Sequence, residues 1–121
     1  MIRVLYVDDE ADIREIAVLA LSLDGALEVR TAADGQEALA IAGAWRPDLI
    51  LLDVMMPGLD GPSTLARLRA SGETRDVPVV FITARAQARE IQSFATLDAR
   101  GVIAKPFDPM TLAAQVRSFL R

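Results

Sequence analysis

Pro47-Asp48-Leu49-Ile50-Leu51-Leu52-Asp53-Val54-Met55-Met56-Pro57-Gly58 is the stretch that decides the fold. Leu49 to Leu52 is apolar at every position, short, and bounded by Pro47 on one side and Pro57-Gly58 on the other. This is the pattern of a strand buried on both faces, as in parallel sheets covered by helices. Val79-Val80-Phe81-Ile82 repeats it, whereas Leu27-Glu28-Val29-Arg30 alternates, as an edge strand does with one wet face. Strands are read at residues 2–7, 27–31, 48–52, 77–83 and 101–104.

Between the strands the spacing turns helical. Ile13, Ile16, Ala17, Ala20 and Leu21 form the stripe of a helix with one face on a core, and Gly25 is read as its stop. Asp34, with Glu37 three residues on, has capping-box spacing before Ala38, Ile41, Ala42 and Trp45, and Pro47 closes that connection. Pro62 opens a third helix that carries Leu65 and Leu68 and ends near Gly72. Asp108 and Pro109 open the last, whose Leu112, Val116, Phe119 and Leu120 share a face. Residues 84–97 also read as a helix, but the face of Ala84, Ala88, Ile91 and Ala95 is thin, so the core is expected to hold it weakly. Strict strand–helix alternation predicts an α/β domain with a flavodoxin-like (βα)5 arrangement. Its five-stranded parallel sheet would run in the order 2-1-3-4-5, with helices on both faces. Residues 1–121 are read as one domain without an output domain.

The 121 residues are 52% hydrophobic, enough for one full core and too few for two. With no His and no Cys, a Ser-His-Asp triad, a cysteine nucleophile, a zinc finger and a disulfide scaffold are all excluded. Whatever chemistry exists runs on carboxylates, hydroxyls, Arg and Lys. No apolar stretch approaches the roughly 20 residues of a membrane span, and no secretory leader is read, so a cytoplasmic location is expected. Residues 1–60 carry 12 acidic and 4 basic side chains, residues 61–121 carry 5 and 9. The acidic half argues against direct nucleic-acid binding. Arg85, Arg89, Arg100 and Arg117 offer a basic surface that could meet an acidic partner or simply be solvated. Lys105 is the single lysine among 13 basic residues, which raises the question of whether its position needs a compact ammonium.

In open α/β sheets ligands bind beyond the carboxyl ends of the strands, here at the switch point between the first and third. Asp8 and Asp9 follow the first strand, Asp53 the third; Thr83 ends the fourth and Lys105 the fifth. Each has a purely structural alternative: Asp8 or Asp9 capping the first helix, Asp53 starting a turn, Thr83 capping the next helix, Lys105 solvated. Their coincidence at the same ends of four strands favours a shared site. Three clustered carboxylates repel, and a cation relieves them; Mg²⁺ suits oxygen ligands and phosphate company. A carboxylate in such a site can attack phosphorus, with Lys105 and the Thr83 hydroxyl receiving charge on the phosphoryl oxygens. Asp53, standing alone after its apolar run, is the best nucleophile.

Val4-Leu5-Tyr6-Val7-Asp8-Asp9-Glu10, the run from Pro47 to Gly61, Ile82-Thr83-Ala84 and Lys105-Pro106-Phe107 together resemble the receiver domain of two-component response regulators across essentially the whole chain. The resemblance implies that Asp53 is the phosphoacceptor, and that Asp8, Asp9 and Asp53 hold Mg²⁺ together with the backbone carbonyl of Met55. It further implies that Thr83 is the switch hydroxyl, that Lys105 pairs with the phosphoryl group, and that the Lys105–Pro106 bond is cis. One departure is Val102, where the family often has Tyr or Phe as a rotamer reporter. Output is therefore expected to rely on displacement of segment 84–97.

The implied role is a phosphorylation switch, a regulatory phosphoacceptor that promotes only its own phosphorylation and dephosphorylation. The implied partners are a sensor histidine kinase or a histidine phosphotransfer protein, then a protein target or an output domain, since a chain without His cannot be its own phosphohistidine donor. Val18, Leu19 and Leu23 leave a homodimer open. A rival reading is a small Mg²⁺-dependent aspartyl phosphatase or phosphotransferase. Many of these place a second Asp two residues after the nucleophile, where this chain has Met55, which cannot donate a proton. A degenerate receiver acting only as a binding module is a third reading, opposed by the intact acidic pair, Asp53, Thr83 and Lys105.

Overall fold

The computed structural model describes residues 1–84 and 98–120. Strands β1 (Ile2–Val7), β2 (Leu27–Ala32), β3 (Leu49–Asp53), β4 (Val79–Thr83) and β5 (Gly101–Ala104) alternate with helices α1 (Ala11–Ser22), α2 (Gly35–Trp45), α3 (Gly61–Ala70) and, after β5, α4 (Leu112–Phe119). All pairings are parallel and the order is β2-β1-β3-β4-β5, with Val4 opposite Leu49 and Asp53 opposite Ile82. The chain has the flavodoxin-like architecture expected of the sequence. The helix read at 84–97 lies outside the described residues except for Ala84, a bend after β4.

Period-two alternation divides the sheet between two cores. Val4, Tyr6, Leu49, Leu51, Val80 and Ile82 face α1 and α4; Leu5, Val7, Ile50, Leu52, Val79 and Phe81 face α2 and α3. Every residue of β3 and β4 is buried, whereas β2 has an exposed Glu28 and Arg30, as an edge strand should. Among the described residues no helix is long and apolar enough to cross a membrane.

Several local expectations shift. The strand read from Asp48 begins at Leu49 and includes Asp53; Asp48 instead accepts the Arg3 N–H at 2.8 Å and donates its own to the Arg3 carbonyl at 2.8 Å. The strand read from Val77 begins at Val79, because the Val77 carbonyl takes the Arg69 guanidinium at 2.7 Å. Ile16 sits at the edge of the α1 stripe and is 42% exposed, since α1 buries only Ala17, Ala20 and Leu21. Gly25 and Gly72 do not cap helices: α1 closes at Leu23 and α3 at Ser71, neither left-handed. Asp34 caps α2 as expected, accepting the Glu37 N–H at 2.8 Å, but the Glu37 carboxylate reaches Ala33 N–H rather than that of Asp34. Pro62 lies in the first turn of α3, capped by the unanticipated Asp60, which accepts the Ser63 N–H at 2.8 Å. Asp108 caps the turn before α4, accepting the Met110 N–H at 2.9 Å, and the helix proper starts at Leu112.

Candidate functional site

The residues read as a site stand together at the carboxyl rim. Asp8 and Asp9 follow β1, Asp53 and Thr83 are the last residues of β3 and β4, and Lys105 follows β5. Asp8, Asp53 and Thr83 are buried, and Asp9 is exposed. The loop after β3 is shaped by its backbone. Gly58 takes φ +74° behind Pro57, and at Gly61 an added Cβ would stand 2.6 Å from the Asp53 carbonyl oxygen, so glycine lets α3 start directly against the strand end.

Lys105 ties the cluster together. Its Nζ lies 2.7 Å from Asp8 Oδ2 and 3.2 Å from Asp53 Oδ2, with the side chain 14% exposed, so it is not a solvated surface lysine. Its backbone N–H donates to the Thr83 carbonyl at 2.9 Å, and the Lys105–Pro106 bond is cis, as the resemblance implied. The capping alternative for Asp8 and Asp9 also fails. The N-cap of α1 is Glu10, without a side-chain cap, and Asp8 Oδ1 takes the Glu10 N–H at 3.0 Å. Met55 donates its N–H to Asp53 Oδ1 at 3.4 Å, and its side chain is exposed. Val102 packs partly buried against the α2/α3 core, and as a valine it offers no ring to swing at that position.

Two contacts escaped the sequence reading. The Tyr6 hydroxyl donates to Asp8 Oδ2 at 3.0 Å, and Arg14 Nη1 donates to the Asp8 carbonyl at 2.7 Å. Tyr6 was hidden in an apolar strand, where an aromatic ring reads as core; the signal was its polar tip two residues before an acid on the same face.

Burial, opposed by Lys105 and reinforced by Asp8, pushes the Asp53 carboxyl up to about 6. Burial also disfavours the Lys105 ammonium, but hydrogen bonds and negative charge from Asp8 and Asp53 outweigh it and raise its pKa. Burial and then the charge of Asp8 push the Tyr6 phenol far above the ordinary tyrosine range, so it remains a donor.

Carboxylate oxygens of Asp8, Asp9 and Asp53 lie within 4.8 Å of one another, against a single lysine. Among the described residues Lys105 is the cation that pairs with these carboxylates, and their all-oxygen donor set suits a hard divalent cation.

The family model for the response regulator receiver domain matches residues 4–117. The chain is 43% identical over 119 residues to the probable transcriptional regulator ycf27 of Cyanophora paradoxa, covering 98% of this chain and 48% of that protein. It is 42% identical over 118 residues to the transcriptional regulatory protein CseB of Streptomyces coelicolor, covering 98% and 49%. The chain thus spans about half the length of these curated relatives. Among solved structures, the chemotaxis response regulator CheY4 of Vibrio cholerae superposes with a TM-score of 0.89 at 35% identity, covering 98% of both chains. With an acidic rim, a bridging lysine and the 2-1-3-4-5 sheet beneath them, the chain belongs to the receiver-domain family of two-component response regulators.

Proposed function

We propose that Asp53 is the phosphoacceptor of this receiver domain and that a partner's phosphohistidine is the donor. The carrying observation is Asp53 itself, a carboxylate at a buried strand end, bridged by Lys105 to Asp8. An Asp53 oxygen forms the new O–P bond as the P–N bond of the donor breaks, and the electron pair of that bond leaves with the imidazole. Lys105 supplies fixed positive charge to the phosphoryl oxygens, and Thr83 supplies the hydroxyl that reads the product. Asp8, Asp9, Asp53 and the Met55 carbonyl would hold Mg²⁺, which would supply the remaining positive charge.

A protein donor is supported by an apolar cleft of about 300 Å³ beside Lys105, lined by Ile13, Ile16, Pro106, Phe107 and Pro109. A sensor histidine kinase or phosphotransfer protein, acting in the cytoplasm, fits that surface. The phosphorylated domain then biases a protein target or, in a longer protein, an output domain. Residues 1–121 act as one module, a regulatory phosphoacceptor and not an enzyme for outside substrates.

Intact-protein mass spectrometry after incubation with acetyl phosphate tests this reading. One added phosphoryl group is expected, absent without Mg²⁺ and absent in Asp53→Asn. Uptake that survives Asp53→Asn, or repeated turnover of phosphate esters, would overturn it.

A further inference from the structure

Tyr6 is the only tyrosine of the chain, and it is fully buried. On β1 it shares a face with Asp8, two residues on, and the strand rise of about 3.3 Å per residue brings the tip of a tyrosine ring level with that carboxylate. The hydroxyl reaches Asp8 Oδ2 at 3.0 Å, the same oxygen that Lys105 Nζ takes at 2.7 Å. Asp8 Oδ1 accepts the Glu10 N–H at 3.0 Å. The ring also meets Phe107 edge-on, at 6.3 Å between centroids and 66° between planes. Phe107 belongs to the Lys105-Pro106-Phe107 loop, so one side chain braces both the acidic loop and the lysine loop.

We propose that Tyr6 is a positioning residue for the metal site: its hydroxyl fixes the orientation of the Asp8 carboxylate and thereby sets the affinity for Mg²⁺. This rests on the proposed role of Asp8 as a Mg²⁺ ligand. With Oδ2 holding two donors, the carboxylate cannot rotate freely about its side-chain bond, and Oδ1 keeps lone-pair capacity for a cation. A phenylalanine would fill the same space but leave Lys105, among the described residues, as the one side-chain donor on Oδ2. The carboxylate would then lose one of the contacts that fix its angle to the cluster. Partners that orient a ligating carboxylate are worth about 10- to 100-fold in metal affinity.

The test is Tyr6→Phe, which removes one oxygen and keeps the ring. Mg²⁺ binding is measured by titration calorimetry on the unphosphorylated chain, next to acetyl phosphate labelling across Mg²⁺ concentrations. Mg²⁺ affinity is expected to fall about tenfold, with the labelling rate at saturating Mg²⁺ within about twofold of the parent, because Tyr6 touches no reacting atom. In the parent, isotope-labelled tyrosine reports a single ring, and its signals are expected to shift as Mg²⁺ saturates the site. Unchanged affinity in folded Tyr6→Phe would overturn the proposal, as would parent ring signals indifferent to Mg²⁺ should the variant fail to fold. If the parent neither binds Mg²⁺ nor takes a phosphoryl group, the functional reading itself fails, whatever the variant does.

Discussion

At the carboxyl rim, Asp53 lies 4% exposed beside Lys105 and Asp8, and its carboxyl is pushed up to about 6. On the surface, Asp24 takes a forked contact from Arg117 through Nε and Nη2, joining the turn after α1 to α4, and its carboxyl is held down to about 2. Both acids have a cationic partner, yet they move in opposite directions. Arg117 meets its acid one to one at a partly exposed site, where less hydration is given up than at the rim. At the rim, burial strips water from Asp53 and Asp8 claims the shorter contact to the same ammonium. A partner alone does not decide the state of a carboxylate; its desolvation and the count of competing charges do. The surface pair holds structure, and the rim cluster is left ready for a further cation.

Removing the ammonium should break this contrast most severely. Lys105→Met leaves Asp8 and Asp53 facing each other, and about 2 kcal/mol of stability should be lost at pH 7, on the lower side for a buried pair because the rim borders solvent. Removing Lys105 raises the Asp53 carboxyl further, so denaturant titration should show the loss largest at high pH, shrinking as pH falls toward about 6 and level below it, and shrinking again with Mg²⁺ at neutral pH. A loss independent of both would mean that the lysine acts by packing alone.

The next effect concerns the proton itself. In the metal-free chain the folded pKa of Asp53, about 6, lies above its ordinary value of 3.8, so the folded state holds the extra proton between those values. Stability therefore falls as pH rises through that window, and below about pH 6 Mg²⁺ must displace the proton. Calorimetric Mg²⁺ affinity should decline below about pH 6, approaching roughly tenfold per pH unit. A flat profile between pH 5 and 7 would contradict the raised carboxyl.

The smallest effect belongs to the surface pair, with the opposite sign. The folded pKa of Asp24, about 2, lies below its ordinary 3.8, so its contribution is present above that ordinary value and is lost as pH falls toward 2. Asp24→Asn should lower Tm at neutral pH several-fold less than Lys105→Met, and added salt should erase the difference. A larger drop that resists salt would show that this contact does more than hold α4 to the turn after α1.

How far these features could be read beforehand depends on how local their causes are. The strands at 2–7 and 101–104, the edge character of β2 and the Asp34 cap each follow from a few neighbouring residues, and each was legible. The stops at Gly25 and Gly72 were misplaced because a glycine marks a permissive position, whereas a helix ends where its apolar face leaves the core. Asp48 was read into β3 because its pairing with Arg3 across 45 residues leaves no local trace.

Sequence alone determined the α/β class, the strand order and the rim on which Asp8, Asp9, Asp53, Thr83 and Lys105 would gather, because strand and helix periodicity together with the right-handed crossover leave few topologies. Only the tertiary structure decided who touches whom on that rim. Lys105 bridging Asp8 and Asp53, Tyr6 bracing Asp8 and Arg117 clasping Asp24 are set by side-chain reach and burial. Except for the short step from Tyr6 to Asp8, they join residues 52 to 97 positions apart, and those distances exist only once the sheet has been assembled.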